Sequence, residues 1–91
     1  MLVLGRIPGE NVLIGDDICV TLEDVKWRAV AITVQEGTRF PYRKHLQEGE
    51  RFQLAPDIFV ELLRVQSSRV RFGFIAPPHI HILRGEILER Q

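Results

Sequence analysis

At 91 residues and 45% hydrophobic content, the chain is near the size at which one core is just adequate, so a single domain over residues 1–91 is expected. Lys+Arg and Asp+Glu are both 12, and a net charge of zero excludes a general electrostatic pull toward nucleic acid or an anionic membrane. Any nucleic-acid site must then be a local patch. The single cysteine, Cys19, excludes an internal disulfide and suits a reducing, cytoplasmic setting. Met1 to Leu4 is too short for a signal peptide, and no stretch approaches the length of a membrane span.

Strand signals dominate. The opening run "LVLGRI" is apolar except for Arg6. "DICVTLEDV" alternates Ile18, Val20 and Leu22 against Cys19, Thr21 and Glu23, the period of a half-buried strand. "AVAITV" follows "KWR", which predicts a hairpin. Trp27, in that turn, suits either an exposed stacking platform for a base or a packing lid over the hairpin. "TRFPYRKHL" is a basic segment, with Arg39, Arg43 and Lys44, whose ladder Pro41 interrupts. It reads as a secondary phosphate-binding patch or as an edge whose charges discourage sheet-to-sheet aggregation.

"DIFVELLRV" alternates again, and "SSRVRFGFIA" returns with Val70, Phe72 and Phe74 on one face and Arg69 and Arg71 on the other. "HIHIL" is a further run, entered through Pro77 and Pro78 and leading to Arg84. Only "GEILERQ" suits a helical turn, too short to be stable without packing. Arg6 and Arg84 are thus lone charges in apolar runs at opposite ends of the chain. Such charges are ordinarily solvated outward positions, but a fold could bring these two together.

The chain also repeats. Residues 9–34 laid on 49–74, a shift of 40, coincide without a gap at Gly9, Glu10, Asp17, Ile18, Val20, Leu22, Val25 and Val30. Ile14/Leu54, Ile32/Phe72 and Val34/Phe74 keep apolar character. This predicts an internal duplication, repeat one about 1–40 and repeat two about 41–91. Two such units would bury their faces on each other as a small all-β sandwich or barrel of antiparallel strands.

"MLVLGRIPGENVLIGDDICVTLEDV" resembles the amino-terminal half of the carbon storage regulator family (CsrA/RsmA), small bacterial RNA-binding regulators of translation. "DIFVELLRVQSSRVRFGFIAPPHIHILRGEILER" is similar to that family from its second strand to its end, with Gly73, Ala76, Pro77, Arg84, Glu86 and Ile87 matching its "G-x-x-A-P" and "R-x-E-I" signatures. Family members are strand-swapped homodimers whose RNA sites join a first strand to the partner chain's last strand. Here the resemblance implies a single-chain pseudo-dimer, with a homodimer also open, in which Leu2–Ile7 pairs with Ile80–Arg84. Arg6 and Arg84 would then share one surface. It further implies a GGA-bearing hairpin loop in an mRNA leader or small RNA as partner. The implied RNA-binding residues are Leu4, Arg6, Ala76, Pro77, Ile80, Ile82 and Arg84, with no cofactor and no catalysis.

Residues 38–46 occupy the place both of repeat one's last strand and of repeat two's first. One segment cannot be both, so one site per chain is expected, with its partner modified or lost. A protein-interaction module on the same scaffold, no longer reading RNA, is the competing function. His79 and His81 lie two apart and would face one way on a strand, but they lack a third ligand for a metal. Cys19 has no base in its pattern and reads as a small packed side chain.

Overall fold

The computed structural model describes residues 1–86. Among them are nine strands: β1 (Leu2–Arg6), β2 (Asn11–Ile14), β3 (Ile18–Lys26), β4 (Ala29–Glu36), β5 (Tyr42–Gln47), β6 (Arg51–Ala55), β7 (Ile58–Gln66), β8 (Arg69–Ile75) and β9 (Ile82–Arg84). They form two antiparallel sheets, one ordered β1-β8-β7-β6 and the other β5-β4-β3-β2-β9. The all-β, two-sheet architecture expected from alternation is therefore present. Most of the expected helical turn, residues 87–91, lies outside the described residues, as does Ile87.

The two long hairpins form where the alternation is strongest. Ile18, Val20 and Leu22 on β3 and Ile58, Val60 and Leu62 on β7 turn inward to one core that includes Val30, Ile32, Val34, Val70, Phe72 and Phe74. In each repeat the next inward residue, Val25 or Val65, follows after three positions rather than two, and strict alternation would send it outward. A bulge between Leu22 and Asp24, and another between Leu62 and Arg64, absorbs the extra residue.

The expected ladder between the first and last strands does not form. β1 pairs with β8, placing Leu4 opposite Phe72 and Arg6 opposite Val70. β9 pairs with β2 in the other sheet, placing Ile82 opposite Ile14 and Arg84 opposite Val12. Register follows the apolar face. Each end adds its inward residues to a sheet that already has a buried face, and a ladder of the two ends alone would bury neither.

β5 resolves the conflict over residues 38–46. It pairs with β4 as Tyr42↔Val34 through Leu46↔Val30, which is the β1·β8 register of Leu2↔Phe74 through Arg6↔Val70 moved by 40 residues. The segment takes the first-strand role, and no described strand covers β6 as β9 covers β2.

Candidate nucleic-acid interface

β1 and β9 run in different sheets, yet both head toward the same pole. β1 ends at Arg6 beside Val70, which pairs with Val65 near the β7–β8 turn. Glu86, two residues past β9, meets Arg6 there. The guanidinium Nη1 donates to Glu86 Oε1 at 2.7 Å and Nη2 donates to Oε2 at 3.0 Å, a bidentate pair. Arg6 also donates from Nη1 to the Asn11 carbonyl (3.1 Å) and from Nε to the Gly5 carbonyl (2.6 Å), with Glu10 Oε1 at 3.7 Å.

These partners change how Arg6 reads. It is only 4% exposed, the one buried charged residue among the described residues. The expectation that Arg6 and Arg84 would share an exposed surface holds only for Arg84, which is exposed and whose side chain makes no hydrogen bond or ion pair among the described residues. The physical reason is Glu86: a buried guanidinium needs a fixed counter-charge, and the chain supplies one from the segment after β9. Hydrogen bonds from Arg6, then Glu86's own backbone amide, outweigh desolvation; with added attraction from Arg6 and Arg84, the Glu86 carboxyl falls from 4.5 to about 2. The same hydrogen bond raises Arg6.

Gly85 permits the contact. It is buried, and a Cβ there would run into Asn11 Oδ1. The near end of β9 is pinned by the Gly15 amide donating to the His81 carbonyl (2.7 Å), and the turn before it by the Ile80 amide donating to the Pro77 carbonyl (3.0 Å). The implied site residues fall into two kinds. Leu4 is a core residue, and Ala76, Ile80 and Ile82 pack partly buried against that core. Their outward contribution is backbone, with half-buried Pro77 in the loop before β9 and the exposed Arg84 side chain at the far end of β9. The arrangement offers peptide groups and one cation, which suits recognition without bond-making chemistry.

The counterpart position in the other sheet carries no copy of this pair among the described residues. Leu46 stands 40 residues after Arg6 and 40 before Glu86, so one leucine holds the counterpart position of both. It is fully buried. Of the secondary basic patch, Arg39 lies 3.7 Å from Glu36, and Lys44 lies 3.7 Å from Glu50 and 5.0 Å from the centre of the Phe52 ring. Arg43 alone is exposed without an acid among the described residues.

His79 sits in a turn and His81 just precedes β9, so the expected shared strand face is absent, and no group of three potential ligands for a metal occurs among the described residues. Trp27 is no lid: it is 83% exposed, with the Arg28 guanidinium 4.9 Å from its ring centre. Sequence reasoning used Glu86 only as a motif residue and missed Gly85 and Asn11. The wide separation in sequence hid the contact, and the only available signal was an acid near a lone arginine at the other end of the chain.

A family model described as "Global regulator protein family", CsrA, matches residues 1–39 and again 45–91. The chain belongs to the CsrA family. It is 39% identical over 44 residues to "Translational regulator CsrA" of Pseudothermotoga lettingae, covering 48% of this chain and 58% of that relative. It is 37% identical over 41 residues to the protein of the same name from Thermotoga maritima, covering 45% of this chain and 49% of that one. The chain thus spans about half the length of these curated relatives. No solved structure matches it. The CsrA match in two segments agrees with the 40-residue relation between the two sheets' registers.

Proposed function

We propose that this CsrA-family chain is a cytoplasmic, post-transcriptional regulator that binds GGA-containing hairpin loops in mRNA leaders or small RNAs and acts by occupancy. One site is formed per chain, along β1 and β9 between the Ala76–Pro77 loop and the end where Arg6 meets Glu86. The observation that carries the reading is the Arg6–Glu86 bridge, which ties β1 to the segment after β9 and leaves Arg84 exposed two residues before Glu86. The Ala76–Pro77 loop and the β9 backbone supply donors and acceptors for unpaired bases, and Arg84 holds a phosphate. Net neutrality fits this mode, because base edges are read by peptide groups and few cations are needed.

The consumption of Arg6 by Glu86 favours a second reading, a protein-interaction module that has given up RNA. A gel shift separates them. Wild-type protein is expected to shift an RNA hairpin presenting GGA in its loop and not the same hairpin with that triplet replaced. Arg84→Ala is expected to abolish the shift with an unchanged far-UV circular dichroism spectrum. No shift with wild type, or an undiminished shift with Arg84→Ala, overturns the proposal.

A further inference from the structure

The groove between the β3–β4 and β7–β8 turns is unused by the site above. It encloses about 760 Å³ and is lined chiefly by Lys26, Trp27, Arg28, Glu48, Arg64 and Val65. Arg28 covers one face of Trp27, and at 83% exposure the other face is open to solvent. The pair is peculiar to this turn: the counterpart positions in the other hairpin are Ser67 and Ser68. The only acid in the lining, Glu48, is already engaged: its Oε2 accepts from the Val65 amide at 2.8 Å, and its Oε1 lies 3.6 Å from Arg28. Lys26 and Arg64 make no ion pair among the described residues.

The basic character continues toward the chain ends. Arg64 is paired across the strands with Arg71, and Arg71 with Gly5 of β1, so two like charges stand side by side in an unfavourable register. Arg69 lies against Gly5 as well. At the counterpart positions of Arg64, Arg69 and Arg71 the other sheet has Asp24, Ala29 and Ala31. The row is therefore confined to the sheet that carries β1. A general solubility device would not be so one-sided.

We propose that this groove is a second nucleotide subsite, in which an unpaired base of single-stranded RNA stacks on the open face of Trp27 while Lys26, Arg28 and Arg64 hold the adjoining phosphates. The inference takes its ligand class from the RNA reading of the β1–β9 pole. It extends that site to the single-stranded segment flanking a bound hairpin, along the Arg71–Arg69 row.

Trp27 is the only tryptophan, so its emission reports the groove alone. The full chain is titrated with a short single-stranded RNA oligonucleotide lacking GGA, and separately with the GGA hairpin with and without a single-stranded extension. The oligonucleotide is expected to quench Trp27, and Arg64→Ala to weaken that binding. The extension is expected to tighten hairpin binding on the order of tenfold, as one base–aromatic stack does, in wild type but not in Trp27→Ser, which carries the counterpart hairpin's residue. Absence of quenching, equal quenching by an oligoglutamate peptide, or an equal benefit of the extension in Trp27→Ser overturns the subsite. Quenching without any hairpin shift instead sinks the β1–β9 reading and leaves the groove standing.

Discussion

Leu46 offers the sharpest test of the asymmetry between the two sheets. It holds the position that Arg6 holds in the other sheet, opposite Val30 as Arg6 is opposite Val70. Arg6 has Glu86; Leu46 has no such acid, because the Glu86 position one repeat earlier is Leu46 itself. Leu46→Arg removes a fully buried leucine, worth about 2–3 kcal/mol. It also leaves a guanidinium without a bidentate partner, about 3–5 kcal/mol more. The combined loss matches much or all of the ~5–14 kcal/mol typical of a domain this size, so the variant is expected to be largely unfolded at 25 °C. Leu46→Met, which conserves volume, is expected to lose less than about 1.5 kcal/mol. Urea unfolding followed by far-UV circular dichroism reads both. A Leu46→Arg protein that folds within about 1 kcal/mol of wild type would mean that position 46 reaches water or an acid, and the two sheets would be equivalent there after all.

The Arg6–Glu86 pair makes stability depend on acid in a defined direction. A carboxyl lowered from 4.5 to about 2 stabilises the fold above the unfolded value, and that contribution disappears as pH falls from about 4.5 toward about 2. The Tm difference between wild type and Glu86→Gln is therefore expected to be full at neutral pH and to close over that window; a difference that persists at the acid end contradicts the ion pair. Gly85→Ala is expected to lower Tm because its Cβ meets Asn11 Oδ1, and Asn11→Ala in the same chain to restore part of the loss. Strictly additive effects in that double-mutant cycle would show that residues 85 and 11 do not touch.

The long strands were legible because the inward residues of β3 and β7 alternate over their first five positions, before the bulges. Short strands were less so. β2 and β6 have four and five residues, too few for periodicity to declare them without their partners. The run "HIHIL" suggested a strand from its first histidine, but backbone turns at Pro77–Ile80 delay β9 to Ile82. The repeat was visible as identities, and it carried the information that one segment had two competing roles. It did not say which role wins. That choice rests on Leu46, whose apolar side chain completes the core from the first-strand position. The pairing of the chain ends was misread for a related reason: alternation identifies a strand's buried face but not which of two similar sheets will receive it.

Among the described residues β6 is left as an unpaired edge, and it differs from β2 where an edge must defend itself. β2 meets β3 in unbroken register and receives β9 on its other side. β6 has a bulge against β7 between Gln53 and Ala55, and Pro56 follows where β2 is followed by Gly15 and Asp16. The Gln53 side-chain amide donates to the Pro56 carbonyl at 2.9 Å, and Arg51 is paired with Glu61 at 3.0 Å. A bulge, a proline and edge charge are the devices that discourage addition of a further strand. Local chemistry thus protects this edge. Light scattering is expected to give the single-chain mass of 10.5 kDa at micromolar concentration. A dimer that dissociates when Gln53→Pro blocks the edge would show instead that β6 is an open seam, and that the pseudo-dimer is only half of the working assembly.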